Sequence, residues 1–141
     1  MKPTAHPLAP GSWLGLLGGG QLGRMFCAAA QRLGFRVCVL DPADQGPAAA
    51  VADRHIKASY TDRAALNELA QLCLACTTEF ENVPAQSLEF LAERTIVAPA
   101  AGAVSIAQDR AAEKQFAQHA GLPVAPYEQV RNVTDIDRLD A

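Results

Sequence analysis

The sequence lacks an excess of positive charge, a long apolar run and an internal repeat, and each absence removes a class of protein. With 12 Lys and Arg against 15 Asp and Glu, the formal net charge is −3. That argues against a dedicated nucleic-acid binder, because neutralising phosphates requires a basic face. No stretch approaches the roughly 20 apolar residues that cross a bilayer, so no membrane partner is expected. The opening segment MKPTAHPLAPGS carries three prolines and no apolar centre, unlike a secretory signal. A flexible extension is predicted over 1–12. Charged residues make up only 19% and hydrophobic ones 50%, a composition that supports a buried core rather than disorder.

Cysteine chemistry is also sparse. Cys27, Cys38, Cys73 and Cys76 sit in apolar surroundings such as RVCVL and LCLAC, where a thiol behaves as a small hydrophobe. Cys73 and Cys76 form a C-x-x-C pair, but no second pair or suitably spaced histidines follow to complete a zinc site. The pair spans a helix end and a strand, whereas a redox pair sits at a helix start. His6, His55 and His119 are scattered, with no partner at ligand or triad spacing. A cytoplasmic location is the expectation.

What is present is an alternation of strand and helix signals. An apolar segment at 13–17 stops at three glycines. Leu22, Met25, Phe26, Ala29, Ala30 and Leu33 then recur at helical spacing up to Gly34, and a second apolar run covers 36–40. Strand, turn, helix and strand in so few residues make a βαβ unit with a right-handed crossover. Further strands are predicted at 55–58, 74–78 and 95–97. One helix runs from a Thr61 cap to about residue 73, and another from Pro84, at its first position, to about residue 93. The fold class is therefore α/β, a Rossmann-like doubly wound parallel sheet of four or five strands over 13–100. Helices are predicted at 102–107 and 110–120, then a possible strand at 127–130 and a final helix capped by Thr134. These belong to a second region, 101–141.

Gly18, Gly20 and Gly23 match G-x-G-x-x-G, with Gly19 making the turn a run of three glycines. The loop follows a strand and opens a helix, so its backbone can approach a ligand closely and its free N–H groups favour an anion. Asp41 ends the second strand, where nicotinamide enzymes place a ribose-binding acid. By these rules an NAD-binding domain is one reading and a purely structural turn another. Gln21 adds a donor and an acceptor at the mouth of the sheet, which suits a polar ring or an amine substrate.

A second candidate lies in Thr77-Thr78-Glu79-Phe80-Glu81-Asn82-Val83-Pro84, at the carboxyl end of the strand predicted at 74–78. In extended backbone, Glu79 and Glu81 point to one side and Phe80 to the other. The segment is either a solvated polar turn or a place where a carboxylate accepts hydrogen bonds from a substrate amine or ribose hydroxyl while Asn82 orients the loop.

Taken in order, LGLLGGGQLGRM, VLDP, PAAAVAD, TTEFENVP and SIAQDRAAEKQF resemble the 5-(carboxyamino)imidazole ribonucleotide synthase family of ATP-grasp ligases. The resemblance runs from about Trp13 to Tyr127. It implies a pre-ATP-grasp Rossmann-like domain over 13–100, followed at 101–141 by the beginning of an ATP-grasp domain. The implied reaction joins bicarbonate to the exocyclic amine of 5-aminoimidazole ribonucleotide in purine synthesis. ATP would drive it through carboxyphosphate, with Mg2+ on the phosphates. The match carries Gln21, Leu22 and Glu79 to the ribonucleotide, with Glu81 and Asn82 nearby. It carries Arg110 to ATP, and Lys114 lies one helical turn further on. Asp41 becomes structural or peripheral. An ATP-grasp lysine, a glycine-rich flap and the Mg2+ ligands would lie beyond Ala141, so the chain alone is expected to be inactive. The full-length family members commonly form homodimers.

Overall fold

Among the predicted strand segments, those at 13–17 and 36–40 are almost wholly apolar, the pattern of strands covered on both faces, whereas those at 55–58 and 74–78 carry His, Lys and Thr. In the structure, a computed structural model that describes residues 8–136, these segments form one parallel sheet. Its strands are β1 (Trp13–Leu17), β2 (Arg36–Asp41), β3 (Arg54–Lys57), β4 (Ala75–Thr78) and β5 (Ile96–Val97), in the order β3-β2-β1-β4-β5. β1 pairs with β2 from Trp13–Arg36 to Leu17–Leu40, and with β4 from Leu14–Ala75 to Leu17–Thr78. The chain therefore builds outward on one side of β1, then returns and builds outward on the other. The loops after β1 and β4 leave side by side at the carboxyl edge, the switch point where such sheets hold ligands.

Helices α1 (Gln21–Arg32), α2 (Arg63–Leu72), α3 (Ala85–Ala92) and α4 (Ala101–Gln108) accompany the sheet. Side chains alternate along each strand, so β2 feeds two cores. Val37 and Val39 join Leu16, Cys27, Ala30 and Ala48 on one face. Cys38 and Leu40 join Leu66, Leu69, Cys73, Cys76, Leu88 and Leu91 on the other. All four cysteines are buried free thiols.

Several local details differ from expectation. In α1 the residues facing the sheet are Gly23, Cys27 and Ala30, while Leu22, Met25 and Leu33 are 62%, 68% and 69% exposed. The sheet selects the small-residue stripe because α1 packs close to the glycine turn. Asp62, not Thr61, caps α2, its carboxylate accepting from Ala64 N and Ala65 N at 2.8 and 3.0 Å. Pro84 is the residue before α3 rather than its first. Of the segment 1–12, residues 1–7 lie outside the described residues. Beyond them Gly11 N donates to Gly34 O at 2.6 Å and Arg36 N to Ser12 O at 3.0 Å.

The chain divides into two compact units, Met1–Ser105 and Ile106–Ala141, where sequence placed the boundary at residue 100. In the second unit, Asp109 caps α5 (Arg110–His119) through Ala111 N and Ala112 N. The possible strand at 127–130 is absent: no strand of this unit is available to pair with it among the described residues. The last described helix is α6 (Val133–Ile136), which places Thr134 inside the helix instead of at its cap. Its predicted continuation falls outside the described residues.

Candidate functional site: a glycine turn closed by a carboxylate

The turn after β1 is built around Gly18, whose φ of +120° is a conformation that L side chains rarely adopt. Gly18 N donates to Leu40 O at 3.0 Å, fixing the turn to the end of β2. Helix α1 then starts at Gly20 with no cap from its own sequence. The cap comes from the neighbouring strand instead. Glu79, just past β4, accepts from Gly20 N at 2.6 Å through Oε1 and from Gly23 N through Oε2. A Cβ added at Gly20 or at Gly23 would lie 2.7 Å from one of those oxygens. The glycine spacing thus admits a protein carboxylate to the helix terminus, where the free N–H groups and the helix dipole favour negative charge.

Asp41 closes the other flank. It is 8% exposed, and its carboxylate accepts from Ala43 N at 2.8 Å and from the Tyr60 hydroxyl at 2.5 Å. Burial, then the bond to Asp41, pushes the Tyr60 hydroxyl's pKa well above its usual range, so it stays a donor. The Tyr60 ring meets Phe80 edge-on at 5.8 Å. This answers the dinucleotide alternative for Gly18, Gly20, Gly23 and Asp41. The anion seat is taken by Glu79, and the acid that would hold a ribose is engaged within the fold.

Gln21 and Leu22 lie between the two amides that grip Glu79, so the sequence-predicted amide and carboxylate share one edge of the sheet. Both are exposed. The backbone turns immediately after Glu79, with Thr78 Oγ1 donating to Phe80 O at 2.8 Å. Glu79 and Glu81 therefore do not form the same-side pair that extended backbone predicts. Glu79 points onto the glycine turn, while Glu81 and Asn82 are exposed on the following loop, 3.5 Å apart between Asn82 Nδ2 and Glu81 Oε1.

Beside the turn opens a cleft of about 480 Å³ that includes Gln21, Arg24, Gln45, Gly46 and His55 in its lining. The loop that lines it is tied to the turn by Ala48 N donating to Gly19 O at 2.9 Å, and Asp44 in its lining pairs with Lys57 at 2.8 Å, which holds the Asp44 carboxyl below its usual range. His55 Nε2 faces Asp41 O at 3.1 Å. Because a carbonyl only accepts, that nitrogen carries a proton. Glu79 does not line this cleft. Sequence reasoning missed Arg24, Gln45 and His55. Arg24 lies one helical turn after Gln21, a usable signal, but His55 and Gln45 arrive only through the β2–β3 pairing.

Arg110 belongs to the second unit, where it is exposed and paired with Glu113. Lys114 stands over the Tyr127 ring at 4.9 Å. Both thiols of the C-x-x-C pair are free and buried. Cys73 and Cys76 are 2% and 3% exposed, and Cys73 is pushed up to about 12, its bond to Cys38 lowering it but the bond to Cys76 and burial outweighing that.

A five-stranded parallel sheet with a glycine turn at its switch point, capped by a carboxylate from a neighbouring strand end, makes this a Rossmann-like α/β domain. The chain belongs to the ribonucleotide synthetase preATP-grasp family, whose model matches residues 12–108. It is 48% identical over 123 residues to the N5-carboxyaminoimidazole ribonucleotide synthase of Brucella melitensis, covering 87% of this chain and 34% of that protein. The Staphylococcus aureus N5-carboxyaminoimidazole synthetase in complex with ADP superposes with a TM-score of 0.86 at 42% identity, over 94% of this chain and 35% of the other. The Aspergillus clavatus synthase in complex with ADP and 5-aminoimidazole ribonucleotide gives 0.80 at 33% identity, over 93% and 35%. The chain spans about a third of the length of the curated relatives it matches.

Proposed function

We propose that this chain supplies the ribonucleotide-facing domain of an N5-carboxyaminoimidazole ribonucleotide synthase. That enzyme would use ATP and bicarbonate to carboxylate the exocyclic amine of 5-aminoimidazole ribonucleotide. The observation that carries the reading is Glu79 seated on the glycine turn beside Gln21, at the switch point of a sheet whose relatives bear that name. Each carboxylate oxygen has two lone-pair directions, so Glu79 can hold the turn and still accept from a substrate amine or hydroxyl. Gln21 offers a donor and an acceptor at the same edge, and exposed Leu22 offers an apolar wall. Glu81 and Asn82 stand on the adjoining loop.

In the chemistry implied, a bicarbonate oxygen attacks the γ-phosphate of ATP and displaces ADP, and the amine nitrogen then attacks the carboxyphosphate carbon, expelling phosphate and giving up one proton to it. The contribution of this domain is orientation, holding the amine towards the activated carbon. Arg110 would reach the ATP phosphates with its planar fork of donors. Mg2+ would neutralise those phosphates. Among the described residues, no group of three His, Cys, Asp or Glu side chains converges for a metal ion, so no step of this domain is routed through it. A cytoplasmic homodimer is the assembly proposed for the longer enzyme.

The test is a chimera in which residues 12–108 replace the matching segment of the S. aureus enzyme. ADP release that requires both 5-aminoimidazole ribonucleotide and bicarbonate is expected. A folded chimera that hydrolyses ATP without regard to the ribonucleotide would overturn the assignment.

A further inference from the structure

Glu79 does more than border a substrate. We infer that it is a built-in anion that closes the amino-terminal seat of α1 to phosphate, so that the glycine turn presents a hydrogen-bond acceptor where related loops present donors. Three observations carry this. Both oxygens of Glu79 are held by the seat itself, through Gly20 N at 2.6 Å and through Gly23 N. Those are N–H groups that a pyrophosphate would use. The glycines are shaped to the carboxylate, since a Cβ at Gly20 or Gly23 would come within 2.7 Å of its oxygens. A second carboxylate, Asp41, stands on the far flank, where a Cβ at Gly19 would lie 2.7 Å from Asp41 Cγ. A phosphate entering this turn would meet two fixed negative charges and no free amide of the pair.

The consequence is orientation. A ribonucleotide brought to this edge places its amine or hydroxyls against the turn and its phosphate away from it. Glu79 is thus a positioning and specificity-determining residue, acting partly through the backbone it holds. That orientation rests on the proposed ribonucleotide-facing role of this edge, whereas the closing of the seat to phosphate rests on the Glu79 geometry alone.

The test uses the 141-residue chain, inorganic pyrophosphate and the Gly20 and Gly23 amide signals in a nitrogen–proton correlation spectrum. In the native chain, millimolar pyrophosphate is expected to leave those two signals in place. Glu79→Ala is expected to bind pyrophosphate about tenfold tighter or better, with saturable shifts at both amides, because a helix-terminus charge site becomes vacant. Glu79→Gln, which keeps the volume but loses the charge and one acceptor, should fall between the two and serves if the alanine variant does not fold. Saturable shifts at Gly20 and Gly23 in the native chain would overturn the inference. So would a folded variant, recognised by unchanged signals from β2 and α2, with no gain in affinity. Neither result bears on the chimera's turnover, so the two readings fail separately.

Discussion

The close approach of the β2–β3 loop to the glycine turn can be tested by a single methyl group. Gly46 is buried against the backbone of Gly19: an added Cβ would lie 2.6 Å from Gly19 O and 3.3 Å from its carbonyl carbon. Neither atom can rotate away, so one loop must retreat by roughly 0.8 Å to reach ordinary contact at 3.4 Å. The same Gly19 oxygen accepts from Ala48 N at 2.9 Å, and that bond stretches or breaks as the loop retreats. Losing it costs about 1 kcal/mol, and forcing a group into a packed site costs about 1–3 kcal/mol. Gly46→Ala should therefore destabilise the first unit by ~2–4 kcal/mol. Trp13, the only tryptophan, lies in β1 and reports unfolding of that unit. With a urea slope of about 1–2 kcal/mol per molar, the midpoint should fall by roughly 1–4 M. Gly102→Ala supplies the control, since nothing lies within 4 Å of a Cβ there and the residue is in α4. It should stabilise by about 0.5–1 kcal/mol. If Gly46→Ala leaves the unfolding free energy within about 0.5 kcal/mol of the parent, the close packing of loop on turn is wrong.

Three other outcomes are expected. Asp62→Ala removes the cap of α2 and should cost ~1 kcal/mol in urea unfolding, with most of it restored by Asp62→Ser. Burial, then the neighbouring Asp53 charge, pushes the Cys27 thiol from 9.0 to about 11. The unfolded chain therefore loses this proton at lower pH than the folded one, and stability should fall as pH rises from 9 towards 11, by about 1.4 kcal/mol per unit for this group. Cys27→Ala should flatten that slope, which unfolding at successive alkaline pH values would reveal. Arg110→Ala should leave stability within about 0.5 kcal/mol, since its pair with Glu113 is exposed. In a chimera extended through α5 it should weaken ATP binding about tenfold, and an unchanged ATP affinity would remove Arg110 from the proposed site.

The amino-acid sequence by itself determined the order of strands and helices, the parallel sheet and the two loops at its carboxyl edge. Those follow from local signals: apolar runs of strand length, the glycine run after residue 17, and the acidic run after residue 78. It also marked Gln21 and Glu79 as partners across 58 residues, but only through resemblance to a family, because spacing along a chain carries no distance in space. Tertiary structure alone decided what the glycines are for. The match to G-x-G-x-x-G is equally compatible with a pyrophosphate and with a carboxylate, and the choice is made by β4 pairing beside β1, which delivers Glu79 to Gly20 and Gly23. Likewise Asp41 reads as a free ribose acid until the turn after β3 brings in Tyr60, and His55 reads as a stray histidine until β3 pairs with β2. A helical apolar pattern could not tell that Leu22 and Met25 face outward. The sheet accepts whichever stripe packs closest, and here the small side of α1 fits.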